Sequence, residues 1–150
     1  MDPVTAVSLA ACVVQFADFG IRLLSDTYEV YKSASGQTSH TIALSKVASD
    51  LLLLSGGIEE QSRNLSAASG AGQSEVTLVR LCGECKVVGQ ELQKALAHLR
   101  AEGTGSFNFA IKSFAVVVKG FWSTDKINGL RNKLAEIRQQ MMMAAIVSLW

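Results

Sequence analysis

Proline occurs once in this 150-residue chain, at Pro3, so no later helix is interrupted by a residue lacking its backbone N–H. Charge is also scarce. Only 18% of the residues are Asp, Glu, Lys or Arg, against 49% hydrophobic, and the mean hydropathy is +0.26. Disordered chains have the opposite balance, because they cannot bury enough apolar surface to offset their ordering entropy. Aromatic residues make up 7% and are not interleaved with the basic ones, which gives a nucleic-acid surface little support. Three cysteines, Cys12, Cys82 and Cys85, are too few and odd in number for a disulfide framework. They read as reduced and intracellular.

Catalytic patterns are missing as well. No GxxxxGK[ST] loop occurs, and the glycine turns SGAGQSE and GTGSF lack the lysine that would reach a phosphate. There is no HExxH. His40 and His98 lie far apart, near no acid pair or nucleophile. Cys82-Gly-Glu-Cys85 has CxxC spacing, but without a second CxxC or a histidine at finger spacing it reads as two core thiols on the face of Leu78 and Leu92. Glu59-Glu60 reads as a solvated helix face. Asn64-Leu65-Ser66 would matter as a glycosylation acceptor only in a secreted chain. No catalytic, cofactor-binding or metal-binding residue is assigned, and the chain is read as not an enzyme.

What remains is helical periodicity in one domain large enough for a proper core. Asp2 and Pro3 suit the cap and first position of a helix reaching Lys32. A second helix from about Ser39 repeats Leu44, Val47, Leu51, Leu54 and Ile58, with Gly56-Gly57 expected to weaken or kink it. Residues 66–73 form a loop. A third helix, about Ser74 to Ala101, places Leu78, Cys82, Cys85, Val88, Leu92, Leu96 and Leu99 on one face. Residues 106–122 are a shorter, nearly all-round apolar stretch. Ser123-Thr124-Asp125 then starts a helix with the seam Ile127, Leu130, Leu134, Ile137, Met141 and Ala144. The expected architecture is all-α, a bundle of four long helices and one short one. The uncapped IVSLW ending suggests a domain cut from a longer protein.

The opening helix is the unusual element. Between Asp2 and Asp18 lie 15 uncharged residues, about 22 Å of helix, whereas crossing a bilayer takes about 20 apolar residues. Asp2 argues against a signal peptide, which starts with positive charge. Thr5, Ser8, Gln15, Asp18, Arg22, Asp26 and Glu29 define a narrow polar stripe, leaving the rest of the helix for burial. Val4, Val7, Leu9, Val13, Val14 and Phe16 would each gain about 1.5–3 kcal/mol from burial, in a core or in lipid alike. The segment suits a core helix, or one that inserts conditionally.

Charge is also unevenly distributed. Residues 1–104 carry eight basic and eleven acidic side chains, a balance of −3; residues 105–150 carry six basic and two acidic, a balance of +4. Lys112, Lys119, Lys126, Arg131, Lys133 and Arg138 could therefore face anionic lipid or an acidic partner, or could simply be a solvated face.

The run DPVTAVSLAACVVQFADFGIRLLS, with the continuation YEVYKS and the Gly36 turn, resembles the HeLo-like N-terminal domain of fungal NOD-like receptors and related STAND proteins. The likeness continues through SHTIALSKVASDLLLLS, LVRLCGECKVVGQELQKALAHL and KINGLRNKLAEIRQQM. The resemblance implies a cell-death effector, distantly similar to the four-helix bundle of the necroptosis executioner. It would be latent in the cytoplasm and driven to the plasma membrane by receptor oligomerisation or amyloid signalling. It further implies a homo-oligomeric active state, membrane lipids as partners and no nucleic acid. The inserting segment would run from about Asp2 to Gly20, through Val4, Val7, Leu9, Ala11, Val13, Val14, Phe16 and Phe19. Residues 107–122 are more apolar than that family's pattern, and Met141-Met142-Met143 is unusual, since three adjacent side chains cannot all face one way. The competing expectation is a protein-interaction or self-association module that does not touch lipid, with 107–122 as its surface.

Overall fold

A computed structural model of the chain describes residues 3–32, 43–67, 73–101, 114, 118 and 122–148. These form four long helices: α1 (Pro3–Lys32), α2 (Leu44–Ala67), α3 (Gln73–Ala101) and α4 (Thr124–Ser148). There is no strand among the described residues, and the all-α bundle expected from periodicity is what forms. α1 packs most extensively on α4 and then on α2, α3 closes the ring against α4 and α2, and α1 meets α3 more sparsely. The pairs Asp18–Arg138, Glu59–Lys86 and Glu91–Lys126 fix α1/α4, α2/α3 and α3/α4. A second, displaced contact in each pair, Tyr31 with Trp122 and Arg80 with Gln140 among them, makes neighbours antiparallel. The topology is up-down-up-down, as short connections favour.

The core is assembled from the stripes read in the sequence. Leu44, Val47, Leu51 and Ile58 of α2 are buried, as are Leu78, Cys82, Cys85, Val88, Leu92 and Leu96 of α3, and Ile127, Leu134, Ile137, Met141 and Ala144 of α4. Leu54 and Leu130 are partly buried against them. Ser123 caps α4, its hydroxyl accepting the Lys126 N–H at 3.2 Å, which satisfies one of the orphan donors of a first turn. Of the three adjacent methionines, Met141 is fully buried while Met142 and Met143 are exposed.

Two local expectations change. Helix α2 continues through Gly56-Gly57 to Ala67, because packing against α1 and α3 outweighs about 1 kcal/mol of lost propensity per glycine. Gly57 faces the Cys12 Sγ, 3.7 Å from where a Cβ would sit, while Gly56 faces open space. The loop anticipated at 66–73 is shorter, since Ala67 and Gln73 belong to helices. The start of α2 at residues 39–42, the Gly36 turn, Asp2 and most of the 106–122 stretch lie outside the described residues. Within that stretch Phe114 and Val118 are helical and fully buried, and Phe114 meets Trp122 edge to face at 6.1 Å.

Gly20 packs directly against α4. A Cβ there would overlap Leu134 Cδ1, and Leu134 is itself fully buried, so it has little room to yield. Gly20→Val should cost about 1–3 kcal/mol through overpacking, whereas Gly56→Ala should add about 0.5–1 kcal/mol by removing unfolded-state freedom. Urea midpoints will separate the two. A neutral Gly20→Val or a destabilising Gly56→Ala would contradict this packing.

Candidate functional site

The sequence singles out the first half of α1, and the bundle divides its residues by face. Leu9, Val13 and Phe16 are fully buried or nearly so, together with Ala6, Ala10 and Ala17. Gly20 is buried against Leu134, Phe19 is partly buried and Val14 is intermediate. The other three do not follow the expectation of burial. Val4 is 70% exposed, Val7 is 43% exposed and Ala11 is exposed. The outward stripe of α1 is thus Val4, Val7, Ala11, Gln15, Arg22 and Glu29, apolar at its beginning and polar at its end. Asp26, expected on the polar stripe, is only 7% exposed. The observed stripe keeps steps of three, four and seven, but at its start it runs through Val4, Val7 and Ala11 and leaves Thr5 and Ser8 half-buried.

The polar ties described for α1 lie in its second half. Asp18 Oδ1 accepts a 2.6 Å bond from Arg138 Nη1. Both side chains are nearly half exposed, so the pair contributes at most about 1 kcal/mol after solvent screening. Tyr31 hydroxyl donates to the carbonyl oxygens of Trp122 and, at 3.1 Å, of Val118. This pins the end of α1 to the segment entering α4, and a bond of this kind contributes about 0.5–1.5 kcal/mol. Burial raises the Tyr31 pKa, which keeps the phenol protonated and donating. Thr27, fully buried, satisfies its hydroxyl on the Leu23 carbonyl at 2.8 Å.

On its inner side α1 reaches the far helices through small residues. The Phe16 ring lies where Gly89 lacks a side chain, a Cβ there coming within 3.3 Å of Phe16 Cζ. Phe16, Ser55, Ile58, Cys85 and Gly89 line a hollow of about 170 Å³ between α2 and α3, rimmed by Glu59 and Lys86. Cys82 and Cys85 are buried as expected, and Cys12 is half-buried. Among the described residues no group of three His, Cys, Asp or Glu could hold a metal ion.

The basic residues of the last third are dispersed into local partnerships. Lys126 Nζ sits 2.9 Å from Glu91 Oε2, and this hydrogen bond lowers the Glu91 pKa. Arg138 is taken by Asp18. Arg131 donates to Asn128 at 2.9 Å and stands over the Tyr28 ring, while Lys133 is exposed on α4. Lys112 and Lys119 lie outside the described residues. Sequence reasoning placed Leu134 on the α4 seam but missed its pairing with Gly20, the hydrogen bond of Tyr31 and the outward orientation of the apolar stripe of α1. Only the last left a signal, the uncharged steps Val4, Val7 and Ala11.

Set against known proteins, the chain matches no family model, no curated protein and no solved structure.

The thiols give this seat a pH signature. Burial is the main cause that pushes Cys82 from the usual 9.0 to about 11 and Cys85 to about 12. The folded state therefore keeps both protons at pH values where the unfolded chain has released them. Stability is fully present below about pH 9 and falls as the pH rises through 11 to 12. The melting temperature of Cys85→Val, close in volume and without a titrating group, should fall less steeply across that range. Equal slopes in the two proteins would contradict the assignment.

Proposed function

We propose that this chain is a latent membrane-permeabilising effector domain, whose apolar N-terminal helix is released to the membrane on activation and oligomerisation. The observation that carries it is that the uncharged first half of α1, apart from Thr5, Ser8 and Gln15, is apolar on its outer face as well as its inner one. Leu9, Val13 and Phe16 fill the core on one side, while Val4 and Val7 are apolar on the other. An outward apolar stripe brings a soluble helix no stability; in lipid it is buried with the rest. α1 is also the one described helix long and apolar enough to cross a membrane, and only 39% of that stretch is buried.

The energetics are consistent with an exchangeable helix. Leu9, Val13 and Phe16 gain about 1.5–3 kcal/mol each from burial in either setting, while Val4 and Val7 gain most of theirs only in lipid. Taking α1 from mostly docked to mostly released requires a differential of about 5.5 kcal/mol, which assembly of several copies on a membrane would supply. The resemblance to HeLo-like domains supports the same reading, with the cytoplasm as the resting location, the plasma membrane as the target and an upstream NOD-like receptor or amyloid signal as the trigger. A protein-interaction module is the second reading. It draws on Leu52 and Leu53, adjacent and exposed on α2.

Val7 offers the cleaner test. It is 43% exposed, so Val7→Glu should leave the circular dichroism and the melting temperature almost unchanged. Forced oligomerisation of the unaltered chain should release dye from liposomes, and Val7→Glu should release almost none. Equal leakage by the two folded proteins would sink the proposal, and a chain that stays in solution with liposomes would favour the interaction module.

A further inference from the structure

The outward line of α2 is apolar at its middle and charged at its ends. Lys46, Ser49, Leu53, Gly56 and Glu60 follow one another at steps of three and four, and all five are exposed. On the other side of the same helix Leu44, Val47, Leu51 and Ile58 are buried in the core, so helical spacing alone puts the five on one outward row. Leu53 and its neighbour Leu52 are 75% and 72% exposed, more than any other large hydrophobic side chain among the described residues.

This row is complementary to itself. Lys46 lies seven residues before Leu53, and Glu60 lies seven residues after it. A second α2 laid antiparallel, with a two-fold axis at Leu53, brings Lys46 of each copy to the level of Glu60 of the other, because a two-fold contact pairs residue i with j and j with i. Parallel pairing would set lysine on lysine and glutamate on glutamate. Between the ions lie Ser49 and Gly56, both small, and a Cβ on Gly56 would meet nothing within 4 Å in its own chain. A second helix can therefore approach closely on both sides of the leucines. The charges are available for pairing. Glu60 makes no ion pair among the described residues. Lys46 sits 3.2 Å from Asp50, yet its side chain is 68% exposed, and an ammonium donates more than one hydrogen bond.

We propose that the folded protein pairs with a second copy of itself through this face of α2, antiparallel about Leu53. Charge complementarity selects that occupant. Leu52 and Leu53 form the apolar centre and the ions form the rim, the usual arrangement of a protein interface. Lys46, Glu59, Glu60 and Arg63 balance to zero on the face, so it offers anionic lipid no net attraction. Gly57 faces Cys12 of α1, so the seat of α1 lies on a different side of α2. Pairing leaves α1 in place and is independent of helix release.

Analytical ultracentrifugation of the intact chain tests the pairing. A monomer–dimer equilibrium should appear at concentrations up to about 1 mM. Leu53→Glu should abolish it, and Lys46→Glu and Glu60→Lys should each weaken it about tenfold, since each reverses both symmetry-related contacts. The double variant Lys46→Glu/Glu60→Lys should recover most of the lost affinity. All three sites are exposed, so each variant should keep the circular dichroism of the intact chain. Val7→Glu should dimerise as the intact chain does, which separates this result from the fate of α1. Three results would overturn the proposal: a chain that stays monomeric over that range, a dimer indifferent to Leu53→Glu, or a double variant as weak as the single ones. A monomeric chain that binds phosphatidylcholine vesicles, and loses that binding in Leu53→Glu, would give the face to lipid instead.

Discussion

Gly20 has no Cβ, and Leu134 occupies the space that one would fill. This lets α1 and α4 approach more closely than two substituted helices could, and their interface is the most extensive in the bundle. Two polar contacts of α1 lie at this point and toward its C-terminal end, Asp18 on Arg138 and Tyr31 on the entry to α4. Toward the N-terminus the helix is seated by Leu9, Val13 and Phe16 alone among its large buried side chains. Attachment is therefore graded along α1. The end that is tied by directional bonds would have reason to stay, while the end that is held by burial can exchange one apolar environment for another at little net cost.

The same gradient runs through the whole molecule. Near the end where α1 finishes and α4 begins, the surface carries Arg22, Glu29, Lys32, Lys126, Arg131 and Lys133, several of them in ion pairs or over the Tyr28 ring. Near the other end, valine, methionine and isoleucine take their place on three helices. Scattered exposed hydrophobics are ordinary on any soluble protein. Among the described basic residues of the last third, Lys126, Arg131 and Arg138 each have a local partner.

Much of this fold was legible in the sequence because its helices are long and strictly patterned. The α3 and α4 seams, the cap at Ser123 and the burial of Cys82 and Cys85 all follow from period and composition. The face of α1 was harder to read. A stripe of small polar residues such as Thr5 and Ser8 looks solvent-facing in sequence, but these residues are half-buried, while Val4 and Val7 are outside. Weakly polar side chains can go either way, and the rotation that α1 adopts is the one that sets Gly20 against Leu134. Such long-range pairings leave no mark in a single sequence, nor does the Tyr31 hydrogen bond across 91 residues. Gly56-Gly57 was misleading for a related reason: local propensity was overridden by packing on both sides of α2.

Cys82 and Cys85 provide a native reporter of whether α1 leaves its seat. Both are buried on α3; the Cys82 thiol is close enough to Cys12 of α1 for the two to interact electrostatically, and Cys85 lines the same hollow as Phe16. The most direct measurement is maleimide labelling of these two thiols, followed by mass spectrometry, during liposome leakage by the oligomerised chain. The account predicts that both are protected in solution and become labelled in step with dye release. Full leakage with Cys82 and Cys85 still protected would mean that the membrane is breached with α1 in place, and would contradict the release of that helix.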